Sequence, residues 1–233
     1  MILKYKLAVG QSSKYKTIVQ SLREAREGTY YEKLDSKMEM TMTQNVVKVH
    51  SNGIMEIKVS IDSSSLWKNG HQISISNKGK IFNMKMADNG EITESSVTGP
   101  QSPPSFPEKD INPGDTWISE KEISLPSQPK GAMLKTLYKF EGLEKFNGFD
   151  CAKISVNTEE VNFNFDEGVT QSIGGHGVTY FAYGEGKLIK SEVNTYTRTS
   201  LSEAEIKVTT RVIVNHLGQV EEKPVMQDFL FAL

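Results

Sequence analysis

Alternation between apolar and polar side chains is the feature that most constrains the fold of this 233-residue chain. Apolar side chains occupy every second position, or nearly so, in residues 38–42, 56–62 and 206–214. Successive side chains of a β-strand point to opposite faces of a sheet, so a period of two predicts strands with one covered face and one wet face. The chain is therefore predicted to be mostly β.

Asn-Gly pairs separate the alternating runs at residues 52–53, 89–90 and 147–148. Asn and Gly tolerate the positive φ angles that tight hairpin turns need, so these pairs predict antiparallel hairpins. Residues 17–27 leave two alternatives open, because Ile18, Val19 and Leu22 also fall at helical spacing. We therefore expect an antiparallel meander with at most one or two short helices.

The two halves of the sequence resemble each other across a proline-rich segment. Residues 52–62 align without gaps on 147–157, and residues 90–97 align on 186–193. These matches predict a duplicated β unit, with a first repeat at 1–98, a linker at 99–110 and a second repeat at 111–233. The repeats could form two domains. We expect one continuous domain, a large curved sheet or half-barrel, because joining the two edges removes aggregation-prone ends.

Composition and charge exclude several classes of protein. The formal net charge is −2 and basic residues never cluster, which argues against a nucleic-acid partner. No apolar run reaches the roughly 20 residues of a transmembrane helix. Cys151 is the single cysteine, so no intramolecular disulfide is expected. Residues 1–6 lack the pattern of a signal peptide. We expect an extracytoplasmic location if an export signal was removed, and a cytoplasmic one otherwise.

Residues 106–117 read Phe-Pro-Glu-Lys-Asp-Ile-Asn-Pro-Gly-Asp-Thr-Trp. This segment resembles a phrase that opens the second β repeat of exported bacterial β proteins of unknown function. Those proteins in turn resemble the lipoprotein-carrier superfamily, in which a curved antiparallel sheet wraps around an apolar cavity. The resemblance covers most of the chain and implies the cell envelope and a lipophilic ligand. It brings no catalytic motif.

The residues that could carry chemistry form no recognisable catalytic or metal-binding pattern. The Gly-Gly-His-Gly segment at 174–177 is expected to serve a bulge or tight turn, with exposure of the His176 imidazole to a substrate as the alternative. Cys151 is in phase with Lys153 and Ser155, which places it on the more polar face as a structural thiol. The other histidines, which lack metal-ligand spacing, are His50, His71 and His216. No catalytic residue, metal site or cofactor is predicted.

Methionines supply the candidate ligand-lining residues. They occupy alternate positions in two predicted strands, and their soft, unbranched side chains suit an adaptable apolar surface. Ordinary core packing is the first alternative, and a Cu(I) site is the second. The candidates are Met38, Met40, Met42, Met84 and Met86.

The sequence predicts a non-enzymatic cell-envelope protein that binds a lipid or other lipophilic ligand in the concave face of a curved sheet. The alternatives are a scaffold module that binds an envelope protein or a cell-wall polymer, and an unrecognised hydrolase. The sequence leaves the oligomeric state open.

Overall fold

The structure is a computed structural model that describes residues 1–96, 103–123, 132–165 and 168–220. These residues form strands connected by turns and loops, and they contain no α-helix. The strands are β1 (Ser12–Glu27), β2 (Tyr30–Val49), β3 (Met55–Lys68), β4 (His71–Ile73), β5 (Ile81–Met86), β6 (Ile92–Ser95), β7 (Thr116–Ile123), β8 (Ala132–Phe146), β9 (Phe149–Asn164), β10 (Thr170–Ala182), β11 (Lys187–Ser200) and β12 (Ala204–Gln219).

All twelve strands belong to one antiparallel sheet. Its order is β6-β5-β3-β2-β1-β12-β11-β10-β9-β8-β7, and the short β4 pairs with β3 beside this path. The first and last strands of the chain, β1 and β12, pair along nearly their whole length. The N-terminal and C-terminal series of strands therefore join edge to edge, which confirms the prediction of one large sheet. The assignment of two repeats stays a prediction, and residues 99–102 of the expected linker lie outside the described residues.

Residues 17–27, which fitted either a helix or a strand, belong to β1. This strand pairs with β2 on one side and with β12 on the other, so Ile18 lies between Glu39 and Ile213. Both backbone edges of β1 thereby find hydrogen-bond partners from distant parts of the chain. Tertiary pairing overrides the local helical spacing, as it commonly does for short segments.

The three predicted Asn-Gly pairs all lie in hairpin connections, between β2 and β3, between β5 and β6, and between β8 and β9. Asn147 and Gly148 have φ angles of +50° and +82° and join β8 to β9. Asn69 and Gly70, with φ angles of +47° and +79°, join β3 to β4 in the same way. Positive φ at both central residues is the signature of a type I′ turn, whose twist matches that of the strands it connects.

The hydrophobic core lies on one face at one end of the sheet. Three aromatic rings from distant parts of the chain meet there, with Tyr5 5.6 Å from Phe106 and 5.0 Å from Phe181, and Phe106 4.6 Å from Phe181. Phe106 comes from the predicted linker and is only 3% exposed. The N-terminal segment and the segment before β7 therefore cover this part of the sheet. The other buried members of the core are Leu3, Met55, Ile57, Val59, Met86, Ile111, Trp117, Phe140, Ala152 and Ile154.

Side chains of the long central strands become more exposed with distance from the hydrophobic core. In β1 the last buried residue is Thr17, and in β3 it is Val59. No residue of β12 is buried. The strands make their main contacts only with their neighbours in the sheet. We call the covered part of the sheet the packed end. The opposite part, which contains the tips of the β1–β2 and β11–β12 hairpins, is the open end.

No helix in the described part of the chain is long and apolar enough to cross a membrane.

Candidate ligand-binding face

The register of the strands assigns each side chain to one of two faces, because residues opposite each other in an antiparallel pair lie on the same face. We call the face that carries Ile57, Ile154 and Phe181 the core face. The five candidate methionines all lie on it. Met86 is 3% exposed and belongs to the core, and Met42 and Met84 pack against the core.

Met38 and Met40 lie further along β2, beyond the packed end, and both are partly exposed. The structure therefore separates the methionines into a core group and a surface pair. Their role in lining a ligand stays a prediction.

An apolar row crosses the core face from β9 to β3, next to the packed end. Its members lie opposite one another across seven consecutive strands, and all but one are apolar side chains. Neighbouring strands are about 4.8 Å apart, so the row is about 29 Å long. The apolar row comprises Val156, Gly177, Val193, Val212, Val19, Met38 and Leu66.

The apolar row is the centre of a larger area without charged side chains, which we call the charge-free patch. On one side of the row lies a line of hydroxyl-bearing residues and a glycine, which ends at the charged Lys68 opposite Ser36. On the other side lies a mixture of apolar and hydroxyl-bearing residues. Apart from the apolar row, the patch comprises Ile154, Thr158, Gly175, Thr179, Ser191, Thr195, Thr210, Val214, Thr17, Ser21, Ser36, Met40 and Ser64.

The opposite face of the same strands is covered with ion pairs. Glu39 lies 2.8 Å from Lys16 and 2.7 Å from Lys37, and these hydrogen bonds hold the pKa of Glu39 below its usual value. Arg211 contacts Glu192 at 2.6 Å. Burial alone would raise the pKa of Glu192, but its bonds to basic neighbours lower it on balance. Around Glu39 and Glu192 the opposite face therefore carries charged side chains that contact water.

The pKa values of the described carboxyl groups bear on the hydrolase alternative. A glycosidase needs one carboxyl group whose pKa is raised so that it stays protonated. The described carboxyl groups with resolved shifts all have lowered pKa values, because each is bonded to a cation, a histidine or a hydroxyl group. These residues are Glu39, Glu56, Glu141 and Glu192.

The Gly-Gly-His-Gly segment is part of β10 and lies at a register shift between β9 and β10, which confirms the predicted bulge. A side chain on Gly174 would collide with the Tyr196 ring, whose hydroxyl group donates a 2.9 Å hydrogen bond to Glu160. A side chain on Gly177 would collide with the backbone and side chain of Val193. The glycines therefore allow close packing between β10 and β11. His176 is exposed on the opposite face.

Cys151 is fully buried in a small second cluster on the opposite face, with Ala182 and Ile189. Burial, reinforced by nearby carboxylates, raises the pKa of its thiol to about 11. A thiol that stays protonated at neutral pH is a poor nucleophile. Cys151 therefore behaves as the structural residue that the sequence predicts.

The histidines are dispersed. His50 contacts Glu56 at 2.7 Å, which keeps the pKa of Glu56 below its usual value. His216 packs edge-on against Tyr15, and burial, followed by the charge of Lys187, lowers its pKa. Within the described ranges, no three histidine, cysteine or acidic side chains come together as a metal site.

Sequence reasoning missed two parts of the charge-free patch. The valines of the apolar row could have been found, since Val212 and Val193 belong to strands with clear alternation. Thr17 and Ser64 had no such signal, because nothing in their local sequence distinguishes a buried hydroxyl group from an exposed one.

Comparison with known proteins supports the fold and nothing finer. No protein-family model matches this chain, and no curated protein matches it. A structure of lipid–protein interactions in lipovitellin superimposes with a TM-score of 0.52 at 7% identity, over 92% of this chain and 26% of that chain. This chain thus spans about a quarter of the lipovitellin chain, and the likeness is one of fold alone.

Two further structures are much weaker matches. The attachment invasion locus protein Ail of Yersinia pestis has a TM-score of 0.20 at 9% identity, over 90% of this chain and 99% of Ail. A DUF1329 family protein from Desulfovibrio piger has a TM-score of 0.18 at 9% identity, over 86% of this chain and 85% of that one.

Proposed function

We propose that this protein is a non-enzymatic cell-envelope protein that holds a lipid or other lipophilic ligand on the core face of its sheet. The observation that carries the proposal is the apolar row, which continues the core beyond its covering segments. The row is about 29 Å long. The acyl chains of one leaflet span about half of a 30 Å hydrocarbon core. An extended acyl chain therefore fits along the row.

The contrast between the two faces supports the same proposal. Val19 and Val212 lie opposite each other on the core face, while the neighbouring positions on the opposite face lie among ion pairs. A surface that is apolar on one side only is typical of a face that binds an apolar partner. Covering this face would remove partly exposed valine and methionine side chains from water, at about 25 cal/mol for each Å².

Two likenesses add weaker support. The fold resembles part of lipovitellin, a protein whose structure concerns lipid–protein interactions. The segment at 106–117 resembles exported β proteins related to lipoprotein carriers. Both likenesses operate at the level of fold, which is a limited guide to function. They are the basis for proposing an envelope location and a lipophilic ligand.

Binding of a fluorescent fatty acid tests the proposal with a matched pair of variants. Val212→Glu places a charge in the apolar row, and Ile213→Glu places the same charge on the opposite face, one residue away. We expect Val212→Glu to abolish binding and Ile213→Glu to leave it unchanged. Circular dichroism and denaturant unfolding check that both variants are folded.

Equal effects of the two substitutions, in folded proteins, would contradict the proposal. Native mass spectrometry of the purified protein gives an independent readout. A mass increment that matches a lipid and disappears on denaturation is the expected result.

A second candidate function is a protein-interaction module. It is favoured by exposed apolar side chains near the β7 edge of the sheet, where Ile118 is 59% exposed and Leu143 is 55% exposed. Unpaired sheet edges readily add a strand from another protein. Two results together would favour this candidate. The unmodified protein would not bind the fatty acid, and the Ile118→Lys substitution would abolish binding of a protein partner.

A further inference from the structure

Two hydroxyl groups on the core face are buried and find no hydrogen-bond partner among the described residues. They belong to Thr17 and Ser64, which lie directly opposite Met40 on either side of it. Thr17 is 0% exposed. A buried hydroxyl group without a partner destabilises a fold, and native structures leave few of them.

Other hydroxyl groups on the same face have partners. Thr179 and Ser191 are 3.1 Å apart, and Thr210 donates to Ser21 at 3.2 Å. Hydroxyl groups of this face are therefore able to pair across strands. Thr17 on β1 and Ser64 on β3 cannot pair with each other, because β2 lies between these two strands. Their donors and acceptors would be satisfied by a group that reaches them from the core face.

The surroundings determine the chemistry of that group. Thr17, Ser64 and Met40 belong to the charge-free patch, and Lys68 is a charged side chain of the same face that lies four residues beyond Ser64, at the end of β3. An ionised group would lose its hydration there without compensation. A neutral group with more than one hydrogen-bonding oxygen would satisfy both hydroxyl groups.

We propose that the ligand is a neutral lipid whose polar head, of the glycerol type, hydrogen-bonds to Thr17 and Ser64 while its acyl chain lies along the apolar row. Both hydroxyl oxygens are buried, so the head group reaches them only if Met40, which lies between the two residues, moves aside. The thioether side chain has three rotatable bonds and adapts readily. The inference rests on the proposed function and specifies the class of its ligand.

The test compares mono-oleoylglycerol with a fluorescent fatty acid on the full chain. Thr17→Val and Ser64→Ala together remove both hydroxyl groups and keep the side-chain volumes close to the originals. We expect this double variant to bind mono-oleoylglycerol about tenfold more weakly, the equivalent of two modest hydrogen bonds. Its affinity for the fatty acid should not change. Thr43→Val, which removes a hydroxyl group that donates to Asp62 on the opposite face, is the control and should leave both affinities unchanged.

Unchanged affinity of the double variant for mono-oleoylglycerol would overturn the inference and leave the proposed function intact. If the unmodified protein bound neither mono-oleoylglycerol nor the fatty acid, both the inference and the proposed function would be overturned. The melting temperature gives a second readout. Removal of unpartnered hydroxyl groups should keep or raise it, and a clear decrease would show that these groups already have partners.

Discussion

The packed end and the open end of the sheet are built from the same strands and the same alternation, yet they bury their apolar side chains to different degrees. At the packed end, Ile57 and Ile154 are 2% and 0% exposed beneath the N-terminal segment. At the open end, Val208 and Ile206 occupy the same face and stay partly exposed. The difference teaches that an apolar face becomes a core only where another segment of the chain reaches it.

The largest expected effect is on stability, and it is measured by making the same isoleucine-to-alanine change at each end of the sheet. Ile154→Ala should lower the free energy of unfolding by about 3–4 kcal/mol, because it leaves a cavity in the core. Ile206→Ala should cost roughly half as much, because water and neighbouring side chains can fill the space. Urea unfolding of both variants measures the two values. Equal losses would mean that the open end is covered as thoroughly as the packed end.

A second comparison uses two glycines with positive φ angles. Gly90 has a φ of +91°, and a side chain there would collide with the Pro104 backbone and the Tyr5 ring. Gly70 has a φ of +79° and open space around it. Gly90→Ala should cost about 2–3 kcal/mol, from backbone strain and overpacking, whereas Gly70→Ala should cost about 1 kcal/mol, from strain alone. Thermal unfolding measures both, and the ranking is contradicted if Gly70→Ala is the more harmful change.

The methionines allow stability and binding to be separated. Met86→Ala removes a core side chain and should cost about 2–4 kcal/mol without a direct effect on ligand affinity. Met38→Ala removes a side chain of the apolar row and should cost about 1 kcal/mol of stability while it weakens fatty-acid binding. Unfolding and fluorescence titration of the same two samples provide the measurements. A reversed pattern would assign the ligand to the packed end.

The smallest effect is expected on the opposite face. The pKa of Glu39 is lowered in the folded state, so its pairs with Lys16 and Lys37 stabilise the protein at neutral pH. This stability is lost as the pH falls from the ordinary value of 4.5 through the lowered folded pKa. Glu39→Gln should therefore cost less than about 1 kcal/mol at pH 7. The cost should shrink in acid and in about 1 M salt.

Unfolding curves of Glu39→Gln and the unmodified protein at pH 7, in acid and at high salt provide this check. A penalty that persists in acid would show that the side chain acts through packing rather than charge.

Much of the fold could be predicted because its signals are local. Period-two alternation identified the strands, and the Asn-Gly pairs located the hairpins. The sequence could not decide between helix and strand for residues 17–27, because their local spacing fits both. The strand is selected by the long-range pairing of β1 with β2 and β12. The methionines were assigned to one face from their spacing, yet the spacing did not distinguish buried Met86 from partly exposed Met38.

By itself, the sequence determined the class of fold, the strand phases and the turns, because each depends on neighbouring residues and on backbone geometry. Only the tertiary structure decided that β1 and β12 join the two series of strands and that Tyr5 and Phe106 meet over one end of the sheet. It alone placed Thr17 and Ser64 around Met40. These features depend on contacts between residues far apart in the chain, and such contacts leave no periodic trace in the sequence.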